Sequence, residues 1–150
     1  MSISEDHFLF LKGNWTIDRS TNGFGYMLGS ASFLPLSGDL PTLAYQETGV
    51  FVTTQGENLN FYREYIYSLN KGIIEVHFAS QQKKQGFFHA LTFSSSNVAT
   101  ATHPCRDDLY RATYTFLNEN SFSLAYDIKG PKKHIRIETV FKRKESEETN

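Results

Sequence analysis

The stretch His103 to Tyr114, HPCRDDLYRATY, gathers a histidine, the only cysteine, two aspartates, two arginines and two tyrosines into twelve residues. Such a set allows three chemistries. A metal would need a third donor beside His103 and Cys105. Only Asp108 or the distant His89 could supply it, and there is no Cys-x-x-Cys or His-x-x-x-His pair, so no metal site is expected. A cysteine nucleophile would need an electropositive, partly exposed setting to ionise; Arg106 beside Cys105 hints at one, but adjacency in sequence does not establish it. The third chemistry is recognition, by alternate side chains of a strand that face a cavity.

Strands are the elements available to position these residues. Turn signals recur at Thr21-Asn22-Gly23, Ser37-Gly38-Asp39, Gln55-Gly56-Glu57-Asn58, Asn70-Lys71-Gly72, Ser94 to Asn97, Asn118 to Ser121 and Lys129-Gly130-Pro131. Between them apolar residues alternate with polar ones: Phe61/Arg63/Tyr65/Tyr67, Ile74/Val76/Phe78, Phe87/His89/Leu91/Phe93, Phe122/Leu124/Tyr126/Ile128 and Ile135/Ile137/Thr139/Phe141. Only Asp6 to Leu11 could form a helical turn, and no segment offers a crossover helix for parallel pairing. About ten antiparallel strands on short loops therefore run up and down, and closure into a barrel removes the exposed edges such a sheet would leave. The fold class is all-β with little helix: one domain over residues 1–143, then a charged, disordered tail over 144–150. His103 to Asp107 reads as a loop, with the next strand starting at Asp108 or Leu109.

Parity along each strand selects the residues facing inward. Arg19 travels with Trp15 and Ile17, Glu47 with Leu43 and Tyr45, Arg63 with Phe61 and Tyr65, His89 with Phe87 and Leu91, and His103 with Ala99 and Ala101. Asp108 shares its face with Tyr110, Tyr114 and Phe116, and Tyr126 lies on the apolar face of its own strand. Charges on a buried face cost several kcal/mol each unless paired, hydrogen-bonded or wet. Two readings stay open. These groups close into a structural ion-pair network with the tyrosine hydroxyls, or they surround a cavity for one small molecule, with arginine for its acidic group and tyrosines for an apolar or aromatic body. The expected ligand-binding set is Arg19, Tyr45, Glu47, Arg63, Tyr65, His89, His103, Asp108, Tyr110, Tyr114 and Tyr126. If the cavity also does chemistry, the candidates are Glu47 as acid or base and Arg63 as electrostatic clamp, with Tyr65 and His89 beside them.

Composition narrows the partners. With 15 Lys and Arg against 16 Asp and Glu, there is no basic excess to hold nucleic acid, and Lys142 to Lys144 are offset by Glu145, Glu147 and Glu148. A lone cysteine forms no internal disulfide, and the apolar run in MSISEDHFLFLKGNW is too short and too acidic at its start for a signal peptide or a membrane span. The expectation is a cytoplasmic protein without membrane contact; pairing with a second copy stays open.

Gly13-Asn14-Trp15 near the start and Arg143 at the end resemble the Gly-x-Trp and terminal-arginine pair of the calycin superfamily (lipocalins, fatty-acid-binding proteins, nitrobindins). The resemblance implies an arginine packed across the tryptophan at the closed end of the barrel. Tyr45-x-Glu47-x-Gly49, Arg63-x-Tyr65, Phe88-His89, His103-x-Cys105-x-x-Asp108-x-Tyr110 and Gly130-Pro131-x-Lys133, in that order, are similar to an uncharacterised family of calycin-like barrels. That likeness implies a fold and no function. It departs at SQQKKQG, before Phe88, where an Asp-Gly-Arg type of turn is expected. Nitrobindin-like relatives hold haem through a histidine. His89, His103 and His134 are available here, but an interior holding Arg63, Glu47 and Tyr65 suits a flat apolar macrocycle poorly, and no cofactor is expected. Glu47, Arg63, Tyr45 and Tyr65 are also similar in type to the residues of phenolic acid decarboxylases. A decarboxylase, isomerase or hydrolase on the same cavity, and a structural barrel with a protein partner, are the alternatives to simple binding.

Overall fold

The computed structural model describes residues 2–145. A short helix, α1 (Ile3–Leu11), precedes eleven strands: β1 (Gly13–Thr21), β2 (Gly25–Leu36), β3 (Thr42–Thr53), β4 (Asn58–Asn70), β5 (Ile73–Ser80), β6 (Lys83–Ala90), β7 (Thr92–Phe93), β8 (Val98–Cys105), β9 (Asp108–Asn118), β10 (Ser121–Gly130) and β11 (Lys133–Arg143). They form one sheet in the order β6-β5-β4-β3-β2-β1-β11-β10-β9-β8-β7, every neighbouring pair antiparallel, with β7 pairing onto β8 through two residues only. First and last strands pair with each other, Trp15 opposite Arg143 and Ile17 opposite Phe141, so the sheet curls round. The expected closed ladder stays open at one seam, between β6 and β8, where His103 Nδ1–H donates to the Phe88 carbonyl at 2.8 Å.

The alternation in the sequence becomes the two faces of the wall. Trp15, Ile17 and Arg19 are buried along β1, and Leu43, Tyr45 and Glu47 along β3, with exposed or half-exposed residues between most of them. β6 is the exception. Val76 pairs with His89 and His77 with Phe87, so Phe88 is an extra residue that bulges the strand. Phe88 and His89 therefore both turn inward, while Phe87, expected inside by strict alternation, is 53% exposed. At Gly29 and Gly49, which face each other across β2 and β3, the backbones approach too closely for a side chain: a Cβ on Gly29 would lie 2.2 Å from the Thr48 carbonyl oxygen.

One end is shut. α1 is longer than the expected turn because Ser2 and Glu5 make a capping box, the Ser2 hydroxyl accepting from the Glu5 amide at 3.1 Å. It buries Phe8 and Leu11, and the Leu11 carbonyl accepts from Trp15 Nε1 at 2.9 Å. His7 stacks on Phe116 at 4.0 Å and donates from Nε2 to the Ser96 carbonyl. Arg143 lies over Trp15 and Phe10, its guanidinium carbon 4.3 and 4.9 Å from the ring centroids, and donates to the carbonyls of Lys12 and Phe10. Of the expected tail, Lys144 is tied back to Asn14 and Ser30; residues 146–150 lie outside the described residues.

Candidate ligand site at the open end of the barrel

The other end is ringed by the tight turns at 22–24, 54–57, 81–82, 106–107 and 131–132. Gln81 and Gln82 both hold positive φ, 53° and 61°, in the turn where Asp-Gly was expected. Side chains other than Gly, Asn and Asp resist that conformation. Part of the cost is met by Glu64, whose carboxylate accepts from the Gln82 amide at 2.9 Å, and that bond, working against desolvation, holds the carboxyl below its ordinary pKa.

Beneath these turns lies a cavity of about 380 Å³ bounded by Arg63, Tyr65, Phe78, Phe88, His103, Cys105, Tyr110, Tyr126, Ile128 and Ile137. That volume is in the range of sites for small organic molecules. Its walls are aromatic: Phe88 stacks on Phe78 at 4.5 Å, on Tyr65 at 5.6 Å and on Tyr126 at 6.1 Å, and His103 meets Phe88 edge-on at 5.1 Å. Arg63 sits at the exposed lip, over Phe61 at 4.9 Å, and among the described residues it has no carboxylate partner. A wider hollow at the closed end, about 610 Å³, is a polar groove on the surface, lined by Asn118, Asn120, Ser121 and Lys142 to Glu145.

Of the eleven expected ligand residues, six border this cavity or reach a group that does. Arg63, Tyr65, His103, Tyr110 and Tyr126 line it, and His89 stands behind Tyr126, its Nε2 3.3 Å from the tyrosine hydroxyl. The bulge at Phe88 supplies a wall residue that the alternation had placed outside.

The other five are engaged elsewhere. Glu47, 2% exposed, accepts from Arg19 Nη1 at 2.6 Å and Nη2 at 2.9 Å and from the Tyr45 hydroxyl at 2.5 Å, while Arg19 Nε donates to Thr139 Oγ1 at 2.8 Å. Burial opposes the Arg19 charge, but the bond to Glu47 and its opposite charge outweigh it and leave the pKa above its ordinary value. Burial, then the negative charge of Glu47, pushes the Tyr45 phenol well up. Both carboxylate oxygens are thus used within the wall, and Glu47 does not border the cavity. Tyr114 is fully buried and shares a 2.9 Å hydroxyl contact with Tyr67. Asp108, expected to meet His103 or the ligand, instead accepts from Lys133 Nζ at 2.9 Å across the rim, in space left open because Gly130 has no side chain.

His103, Pro104 and Cys105 belong to strand β8 rather than to a loop, and the turn shrinks to Arg106 and Asp107. Cys105 is a free thiol at the rim, and no cluster of three or more His, Cys, Asp or Glu side chains able to hold a metal exists among the described residues.

The fold and the site thus define a nearly closed antiparallel β-barrel, capped by a helix at one end and hollow at the other. The chain belongs to the "Family of unknown function (DUF6314)", whose model matches residues 11–143. No functionally curated protein matches it in sequence. Among solved structures it is similar to the S-type phycobiliprotein lyase CPES from Guillardia theta, with 12% identity, a TM-score of 0.71 and 98% of this chain covered against 95% of that one. It is also similar to the structure of EF1p2_mFAP2b bound to DFHBI, with 13% identity, a TM-score of 0.50, and 95% and 100% of the two chains covered. At these identities the likeness is one of fold.

Proposed function

We propose that this barrel binds one small molecule in its open-end cavity, with an aromatic or apolar body lying among Tyr65, Phe88, Tyr110 and Tyr126 and an acidic group held by Arg63. The observation that carries the reading is a guanidinium without a carboxylate partner among the described residues, at the lip of an aromatic cavity of about 380 Å³. A planar, permanently charged donor fork in that position is matched by a carboxylate or similar anion. Arg19, which reaches the same Phe61 ring, is neutralised by Glu47. A barrel of similar fold solved with DFHBI bound supports a small molecule as the occupant.

Calorimetric titration with 3-phenylpropanoate and with its neutral amide tests the reading. The acid is expected to bind at one site, and at least about ten-fold more tightly than the amide, the worth of one charge-assisted hydrogen bond. Arg63→Gln should erase that difference. Equal affinities for acid and amide in the unmodified protein, or no binding of either, would overturn it.

A further inference from the structure

The inner wall of the cavity carries a polar contact that an Arg63-bound acid leaves unused. Tyr126 lines the cavity, and behind its hydroxyl stands His89, 1% exposed, whose Nδ1 is buried without a hydrogen-bond partner. Burial, the largest cause, lowers the His89 pKa to about 4, so the ring is neutral near pH 7 and carries one proton. On Nδ1 that proton would face only the residue's own backbone, in a geometry that makes no proper hydrogen bond. On Nε2 it reaches the Tyr126 oxygen at 3.3 Å and leaves only a lone pair unmatched at Nδ1, which costs less. The Nε2–H tautomer therefore prevails, and Tyr126 accepts from His89. Burial holds the Tyr126 phenol well above its ordinary pKa, so it keeps its proton. With its oxygen occupied from behind, that proton is left to point into the cavity.

We propose that the Tyr126 hydroxyl, oriented by His89, is a second recognition point, and that the ligand is an aromatic acid carrying a neutral hydrogen-bond acceptor, such as a carbonyl, on its ring system away from the acidic group. This rests on the binding reading above and adds a substrate class to it. Arg63 selects for charge at the lip, and Tyr126 selects for an acceptor inside.

The test is a matched pair of probes, 3-(4-acetylphenyl)propanoate and 3-(4-isopropylphenyl)propanoate, which differ in a carbonyl at nearly equal volume. The unmodified protein is expected to favour the acetyl compound by about ten-fold, the worth of one buried hydrogen bond. Tyr126→Phe should bring the ratio close to one while the isopropyl compound still binds, and Arg63→Gln should weaken both compounds alike. If both bind in an Arg63-dependent way but with equal affinity, or if Tyr126→Phe leaves the preference intact, the second recognition point is refuted and the binding reading stands. If neither binds, the binding reading fails and takes this inference with it. A measurement on the unmodified protein covers the case in which Tyr126→Phe does not fold. The infrared carbonyl band of the bound, isotope-labelled acetyl probe should lie at lower wavenumber than in an aprotic solvent, and an unshifted band refutes the contact.

Discussion

Arg19 and Arg63 reach the same ring, their guanidinium carbons 5.6 and 4.9 Å from the centroid of Phe61, yet they live in different chemistries. Arg19 is 9% exposed and fully engaged, with Glu47 on two nitrogens and Thr139 on the third. Arg63 is exposed and has no countercharge among the described residues. The ladder alone would suggest another pairing, because Glu47 sits directly opposite Arg63 across β3 and β4. Its carboxylate instead crosses β2 to β1, over an inner face that is small at Gly29 and Ala31. One arginine and its acid have become part of the wall; the other stands at the cavity lip without a countercharge among the described residues, and the proposed binding rests on that difference. The network reading of the polar interior thus holds around Arg19 and Glu47, and the binding reading is proposed for the region around Arg63.

The largest effect should come from breaking the engaged pair. Glu47→Ala strands a buried guanidinium, and urea denaturation is expected to show a loss of about 3–5 kcal/mol. A loss below 1 kcal/mol would mean that Arg19 finds water or another partner and that the two arginines are less different than they look.

Next in size is a pH effect at the inner wall. The folded pKa of His89, about 4, lies below its ordinary value of 6.5, so folding favours the neutral ring. Its contribution is fully present above about pH 6.5 and is lost as pH falls toward 4, by on the order of 3 kcal/mol in total. Half-buried His77, whose pKa is also lowered, first by burial, adds a smaller part in the same direction. Stability curves between pH 7 and 4 should be flatter in His89→Gln than in the unmodified protein; identical slopes would place the acid sensitivity elsewhere.

The smallest effect on folding belongs to the arginine without a carboxylate partner. Arg63→Gln should change stability by less than about 0.5 kcal/mol, as expected of an exposed side chain whose partners are the Phe61 ring and the Tyr65 hydroxyl rather than a buried carboxylate. A large loss would give Arg63 a structural role and remove the basis for assigning it to a ligand.

The sequence carried the barrel in clear form where alternation was unbroken. Phe122/Leu124/Tyr126/Ile128 and Trp15/Ile17/Arg19 face the interior as expected, because one buried face per strand writes a period of two into the chain. It misled at β6, where the bulge at Phe88 resets parity; the consecutive Phe87-Phe88-His89 after Gly86 is the trace of that extra residue. The helix start was missed: the expected turn begins at Asp6, although the spacing of Ser2 and Glu5 carries the capping box that starts α1 at Ile3. The site was half legible. Parity put Arg19, Glu47 and Arg63 on one face, but which arginine takes the acid depends on a reach across β2 that no single strand's pattern encodes. The seam, the two-residue β7 and the tie from His103 to Phe88 depend on how the sheet closes in three dimensions, so local pattern does not contain them.

The central claim is that the space beside Arg63, and not the polar network beside Arg19, receives a ligand. A crystal structure of the protein soaked with 3-phenylpropanoate tests it most directly. The carboxylate is expected within hydrogen-bonding distance of the Arg63 guanidinium, with the phenyl ring between Tyr65, Phe88 and Tyr126. Density for the acid inserted between Arg19 and Glu47, or found only on the outer surface while the cavity stays filled with water, would contradict the account.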